Sequence, residues 1–385
     1  MKRLSNITAL QPTGMRKMFD LAATMDNVIS FALGEPNFDT PQNVIAAAKD
    51  ALDRGETHYN ANAGILPLRN SIAKKMKENE HLDYDPLTEI QVTVGGMEAL
   101  YLTLMVLLDT DDEVILTDPC YTNYLGQIVM NKGVPVPIPV YEENGFNYTE
   151  ESLRNAITDK TKVIVLNSPC NPTGGVATRE TQEMVAKIAI EHDLYVIYDE
   201  VYKYLVYDGL EFFNIASIPG MKERTIIIDS VSKSYAMTGW RVGFALGPAD
   251  IIGHMPKLQE NLLSCVNTPS QWAAVEALEG PQDACAYMNK QYLQRRNLIC
   301  EGINKIDKLS CTIPKGAFYV FMNIKETGLT SDEFALRLLK EAKVVLSAGS
   351  GFGVSGEGYV RIAYATSTEN IIEGLKRIEK FVSTL

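Results

Sequence analysis

The chain has 385 residues, 46% of them hydrophobic, which is enough apolar material to fill one large or two ordinary domains. Its 36 Lys and Arg against 48 Asp and Glu leave a formal charge of -12, and with no basic run or RNA-binding signature nucleic acid is excluded as an expected partner. The N-terminal stretch is basic but lacks the apolar core of a signal peptide, and no run approaches the ~20 apolar residues of a membrane helix, so no membrane association and a cytoplasmic location are expected.

From about residue 90 to 247, short β-branched runs alternate with longer helical patterns, which predicts a mostly parallel sheet covered by helices. The predicted strands are residues 90–94, 113–117, 162–166, 194–198, 225–228 and 241–246, each stopping where Gly, Pro, Asn or Asp begins. Ligands of an open α/β sheet sit beyond the carboxyl ends of its strands. That rule singles out Gly95, Gly96, Asp118, Pro119, Asn167, Asp199 and Ser230.

After about residue 285 the pattern changes to a charged helix (287–306), a strand (316–323), a helix (331–342) and a strand (358–365). A last helix opens at Thr366-Ser367-Thr368-Glu369, a capping-box pattern, and sets Ile371, Leu375, Ile378 and Val382 on one face. This reads as a smaller α+β domain. The expected division is an N-terminal arm and joining segment (1–44), a large domain (45–284) and a small C-terminal domain (285–385), closely packed because no linker or repeat separates them.

The six cysteines are scattered without a CxxC pair and are expected to be reduced and mostly buried; the four histidines make no ligand spacing, so no metal site is implied. Three local patterns carry possible chemistry. The strand, glycine pair and helix start of residues 90–100 bring free amides and a helix dipole together, a credible phosphate seat, although such a pair also makes an ordinary tight turn. Asp199 ends an apolar strand, where a carboxylate either faces a fixed cation such as a protonated ring nitrogen or caps the next helix. In SVSKSYAMTGWRVGFAL (230–246), Lys233 lies between two serines just after an apolar run, a costly place unless its amine has work or a partner. Residues 351–356 match GxGxxG, but a strand rather than a helix follows, which rules out a dinucleotide loop.

Together and in order, Asn171 in NPTG, Asp199 and Tyr202 in DEVY, Lys233 in SVSKS, Arg241 in TGWR and Arg361 in GYVRIAYA resemble the class I and II aminotransferases, over nearly the whole chain. Within them the chain looks most like the microbial branch of aromatic and aspartate enzymes. The resemblance implies the three-layer α/β architecture of fold type I and pyridoxal 5′-phosphate as cofactor. It makes Lys233 the imine-forming amine and proton shuttle, Asp199 the partner of the pyridine nitrogen, and Asn171 and Tyr202 the partners of the 3′ oxygen. Gly95, Gly96, Met97, Ser230, Ser232 and Arg241 match the phosphate cup, and Tyr121 the residue stacked on the ring. Arg361, helped by Gly34 and Asn171, matches the fork that grips the substrate α-carboxylate. Tyr59 matches a tyrosine that reaches the neighbouring subunit's phosphate, which implies a homodimer.

Amino acids and 2-oxo acids such as 2-oxoglutarate are then the expected substrates, turned over by ping-pong kinetics. Aspartate-preferring members of the branch tend to carry lysine as the third residue of the glycine-pair motif; Met97 stands there instead, and its thioether leans toward aromatic or other hydrophobic donors. An aspartate-preferring enzyme and a pyridoxal-dependent carbon-sulfur β-lyase remain the alternatives. A degenerate relative serving as a regulator is expected to lack Lys233.

Overall fold

Strands that are apolar on both faces need cover on both, and that requirement organises this molecule. The structure is a computed structural model and describes Met18 and residues 21–385; the family resemblance begins at Met15-Arg16-Lys17-Met18-Phe19-Asp20, of which all but Met18 lie outside the described residues. After the short β1 (Ile29–Ser30) come the seven strands of the central sheet: β2 (Ile90–Thr93), β3 (Glu113–Asp118), β4 (Val134–Pro139), β5 (Thr161–Asn167), β6 (Tyr195–Asp199), β7 (Thr225–Ser230) and β8 (Gly243–Leu246). Their order is β2-β8-β7-β6-β5-β3-β4, with β8 antiparallel to both neighbours and every other pair parallel.

Side chains alternate across each strand. Val163, Val165, Ile226 and Ile228 enter one apolar cluster, while Ile164, Leu166 and Ile227 enter another on the opposite face. Two helical layers around one sheet follow from that pattern, the α/β arrangement of a fold type I enzyme.

One strand departs from the sequence pattern. Val-Pro-Val-Pro-Ile-Pro reads as a breaker-rich loop, yet it forms β4 at the sheet edge. In a parallel pair only alternate residues bond to a given neighbour, and the flanking Val134 and Val140 amides do reach β3 carbonyls or their extension at 2.8 and 2.9 Å. The prolines fall on the other phase, facing away from β3, where no ladder donor is required.

The remaining strands are β9 (Tyr319–Asn323), β10 (Val344–Val345), β11 (Ser347–Ala348) and β12 (Tyr359–Ala363). β11-β12-β9 is an antiparallel sheet, and β1 pairs in parallel with β10. Phe31, Phe318, Tyr364 and the inner faces of helices Asp283–Ile303 and Thr368–Val382 share a separate core there. The predicted helix 331–342 is α-helical only over Ser331–Arg337 and closes as a π turn at Leu338–Ala342. All six cysteines are free, four of them buried. Among the described residues no helix is long and apolar enough to cross a membrane.

The last helix corrects a detail of the sequence reading. Its cap is Ser367, whose hydroxyl accepts from the Asn370 amide at 3.1 Å, so the capping motif starts one residue later than Thr366 and has no glutamate at its third position. Ser367→Ala is therefore expected to lower stability by about 1 kcal/mol and Thr366→Ala by less than half of that, read from urea denaturation.

Candidate active site

The carboxyl ends of β2, β6 and β7 meet at a cavity of about 340 Å³. Because β8 runs the other way, its amino end lies beside those carboxyl ends, and Arg241, which precedes β8, reaches the cavity for that reason. Gly34, Gly96, Met97, Tyr121, Asn171 and Asp199 line it, as do Tyr202, Ser230, Ser232, Lys233, Arg241 and Arg361. Two of the sequence-predicted residues do not. Gly95 backs the wall, and Tyr59 lies outside the cavity on the surface, 87% exposed.

Gly95 has φ 76°, and a Cβ there would come 2.5 Å from Arg241 Nη2. Only glycine suits that turn. It leads into the helix Gly96–Leu107, whose first amides are not used within the helix. Beside this turn, Ser230 Oγ accepts from the Ser232 amide at 3.4 Å and starts the short helical turn Val231–Ser234 that carries Lys233. The Arg241 guanidinium donates to the Thr238 carbonyl at 2.9 Å and the Val94 carbonyl at 3.4 Å, two of the five N–H donors such a group has. Amides, hydroxyls and a cation thus converge on one anion-sized place.

Lys233 Nζ donates to the Gly34 carbonyl at 2.6 Å. Burial pulls its amine down to about 8; Glu35 opposes this, while Arg361 and Arg241 add to it. Asp199 is pushed up to about 6, mainly by burial, against the hydrogen bonds it accepts from Tyr124 at 2.5 Å and from the Val201 amide at 3.3 Å. Neither of those partners is a cation. The Tyr124 hydroxyl, itself held well above its ordinary range by burial, stays protonated and donates.

Arg361 is buried, with Nη1 donating to Asn171 Oδ1 at 2.9 Å and Nη2 to the Ala32 carbonyl at 2.5 Å. Its guanidinium lies 4.7 Å from the centre of the Tyr319 ring and 4.8 Å from that of Phe352. Tyr202 and Tyr319 share a hydroxyl hydrogen bond at 2.7 Å. Tyr121 receives the Asn123 amide at 2.8 Å, and its hydroxyl sits 3.5 Å from Met97 Sδ.

Tyr124 and Tyr319 line the cavity but were not among the sequence candidates. Tyr124 follows Tyr121 by three residues at a helix start, and that spacing was the available signal. Tyr319 carried none, since its role comes from folding against residue 202. Asn167, marked only as a strand end, donates to the Asp199 carbonyl at 3.0 Å and accepts from the Asn171 amide at 2.9 Å.

An amine partly neutral near neutral pH, a carboxylate awaiting a cation and an anion seat make a donor set that fits pyridoxal phosphate, an aldehyde with a protonatable ring and a phosphate. Comparison with known proteins agrees. The model of the aminotransferase class I and II family matches residues 26–378, and the chain belongs to that family. It is 44% identical over 373 residues to aromatic-amino-acid aminotransferase 2 of Thermococcus litoralis and 45% identical over 373 residues to aspartate aminotransferase of Pyrococcus abyssi, covering 96% of both chains in each case. The crystal structure of an aromatic aminotransferase from Pyrococcus horikoshii matches with a TM-score of 0.91 at 43% identity, covering 96% of this chain and 99% of that one. The protein is a pyridoxal-phosphate-dependent enzyme of amino-acid transamination.

Only a neutral amine attacks an aldehyde, and deprotonation of Lys233 is centred near 8 rather than above 10. The rate at which cofactor-free protein captures pyridoxal phosphate, trapped with borohydride on the Lys233 peptide, is expected to rise with pH about a midpoint near 8. A rise only above pH 10 contradicts the assigned environment.

Proposed function

We propose that this enzyme moves the α-amino group of aromatic or other hydrophobic amino acids to a 2-oxo acid such as 2-oxoglutarate, as a cytoplasmic homodimer with ping-pong kinetics. One observation carries the substrate preference. Three cations line the cavity among its described residues, Lys233, Arg241 and Arg361, and the cofactor's aldehyde and phosphate and the substrate α-carboxylate require all three. No cation remains in this lining for the short side-chain carboxylate of aspartate, whereas the longer side chain of 2-oxoglutarate has to carry its second carboxylate past this lining toward solvent or the partner subunit; the Met97 thioether beside Tyr121 offers an apolar wall. The relatives named above include both an aromatic and an aspartate enzyme, so their names do not decide the preference.

Bound pyridoxal phosphate supplies an aldehyde for amine capture and a ring that accepts electrons from the substrate α carbon. The chain's residues divide the remaining work. Lys233 Nζ makes the covalent attachment and, when free, takes the α proton and returns it. Asp199 keeps the ring nitrogen protonated, with Tyr124 and the Val201 amide orienting its carboxylate. Asn171 and Tyr202 would hold the cofactor's 3′ oxygen, and Tyr121 would cover its ring. Gly95, Gly96, Met97, Ser230, Ser232 and Arg241 hold the phosphate, and Arg361 with Gly34 and Asn171 orients the substrate carboxylate. The exposure of Tyr59 supports its donation to the partner subunit's cavity. Residues 45–284 act as the cofactor-holding domain and 285–385, joined by 1–44, as the smaller domain that brings Arg361.

A survey of amino donors against 2-oxoglutarate, followed by the cofactor's absorption, tests the reading. Phenylalanine or tyrosine should exceed aspartate in kcat/KM, and Met97→Lys should narrow or reverse the ratio. Preference for aspartate in the native enzyme overturns the substrate proposal, and release of ammonia without a 2-oxo acid acceptor overturns transfer itself. Lys233→Ala should abolish turnover while still taking up cofactor through the phosphate seat. Asp199→Ala should lose at least ~100-fold in kcat, because removing one partner of a buried ion pair costs about 3 to 5 kcal/mol.

A further inference from the structure

Behind the cavity, on the side of the sheet ends away from the cofactor seat, lies a second buried cluster of charge. Lys203 Nζ is 2.6 Å from Glu200 Oε1, 2.8 Å from Glu80 Oε1 and 2.9 Å from Asp229 Oδ2, and each of these side chains is at most 6% exposed. Asn214 Nδ2 donates to Glu80 Oε2 and Glu200 Oε2, both at 2.6 Å, and Asp229 Oδ1 accepts from the Ser230 amide at 2.6 Å. The Lys203 amide closes the turn by donating to the Glu200 carbonyl at 2.8 Å.

One ammonium among three buried carboxyl groups is a poor source of stability, since desolvation offsets the attraction and apolar residues of equal volume serve as well. What such a cluster supplies is fixed geometry. Its members are chain neighbours of cavity residues: Glu200 follows Asp199, Lys203 follows Tyr202, and Asp229 precedes Ser230. Asp229 and Ser230 are successive residues of β7 and point to opposite faces, so the cluster grips β7 from behind while Ser230 faces the cavity; Glu200 and Lys203 belong to the turn that immediately follows the end of β6 at Asp199.

We propose that Lys203, through Glu200 and Asp229, is a positioning residue that sets Asp199, Tyr202 and Ser230 at the spacing the cofactor requires. The proposal rests on the roles given above to those three groups. Glu80, last residue of the helix Leu66–Glu80, extends the anchor to the helical layer, so the spacing is referred to the body of the domain.

The test titrates cofactor-free protein with pyridoxal phosphate well below its melting temperature, where a merely structural loss leaves the dissociation constant unchanged. Lys203→Met is expected to raise that constant roughly 10- to 100-fold, the range seen when groups supporting a ligand-holding shell are removed, and to lower kcat more than it changes KM for the amino donor. Lys203→Arg should restore most of the affinity. Asp229→Asn keeps the carbonyl that accepts from Ser230 but turns an amide toward the ammonium, so it should weaken capture as well, and it decides the matter if Lys203→Met does not fold. Folded Lys203→Met or Asp229→Asn protein with the native constant overturns the proposal. Asp199→Ala and Ser230→Ala separate the two failures: if they weaken capture while the anchor variants do not, only the anchor is wrong; if they too have no effect, the roles of the cavity residues fall first.

Discussion

The site depends on a carboxylate buried with no cation among its hydrogen-bond partners. Asp199 ends a central strand, where the sheet and two helical layers exclude water, and its hydrogen bonds to Tyr124 and the Val201 amide orient the group without neutralising it. Burial therefore raises its proton affinity to about 6. A cationic ring nitrogen placed against it acts in the opposite direction and keeps it ionised. The penalty carried by the buried carboxylate thus becomes selectivity for a ligand that can be cationic at that point, which is a demand on charge as well as shape.

Lys233 is governed by the same surroundings with the opposite sign. Its amine must be neutral to react, and burial, Arg361 and Arg241 all push it that way, while Glu35 holds it back. The two arginines therefore act twice. Each offers a seat for an anion, in the proposed reading a phosphate for Arg241 and a carboxylate for Arg361, and each makes Lys233 easier to deprotonate. Occupation of either seat by an anion weakens that effect, so ligand binding and amine reactivity are coupled through charge alone. Their settings differ accordingly: Arg241 is exposed and tied to two backbone carbonyls, whereas Arg361 is buried between two aromatic rings.

The strands β5, β6 and β7 were legible because both faces of each are apolar and their ends are marked by Asn, Asp and Ser. Most of the cavity lining was legible because these residues sit at those ends or in short motifs beside them. β4 was hidden by its prolines, whose tolerance depends on being at the edge, a fact of topology that no local pattern carries. Tyr319 and the Lys203 cluster were hidden for a related reason. Lys203 meets Glu80 across 123 positions and Tyr319 meets Tyr202 across 117, and hydrophobic periodicity says nothing about polar partners that far apart. At Ser367 the error was smaller, since two neighbouring hydroxyl residues could each cap and only the backbone decides which does.

The rejected GxGxxG match at residues 351–356 has a packing purpose. Gly353, at φ 139°, leaves no room for a Cβ against the Asp118 carboxylate, and Ser355 donates to that carboxylate from both its amide and its hydroxyl at 3.2 Å. The Cys120 amide in turn donates to the Phe352 carbonyl at 2.9 Å. The loop therefore clasps the end of β3 immediately before Tyr121, while the Phe352 ring covers the Arg361 guanidinium. Tyr121 and Arg361, both in the cavity lining and 240 positions apart, are linked through this contact. Glycine is required there for the close approach of two chain segments, the same physical need that selects it in a nucleotide loop, and this is why the letters agree while the function does not.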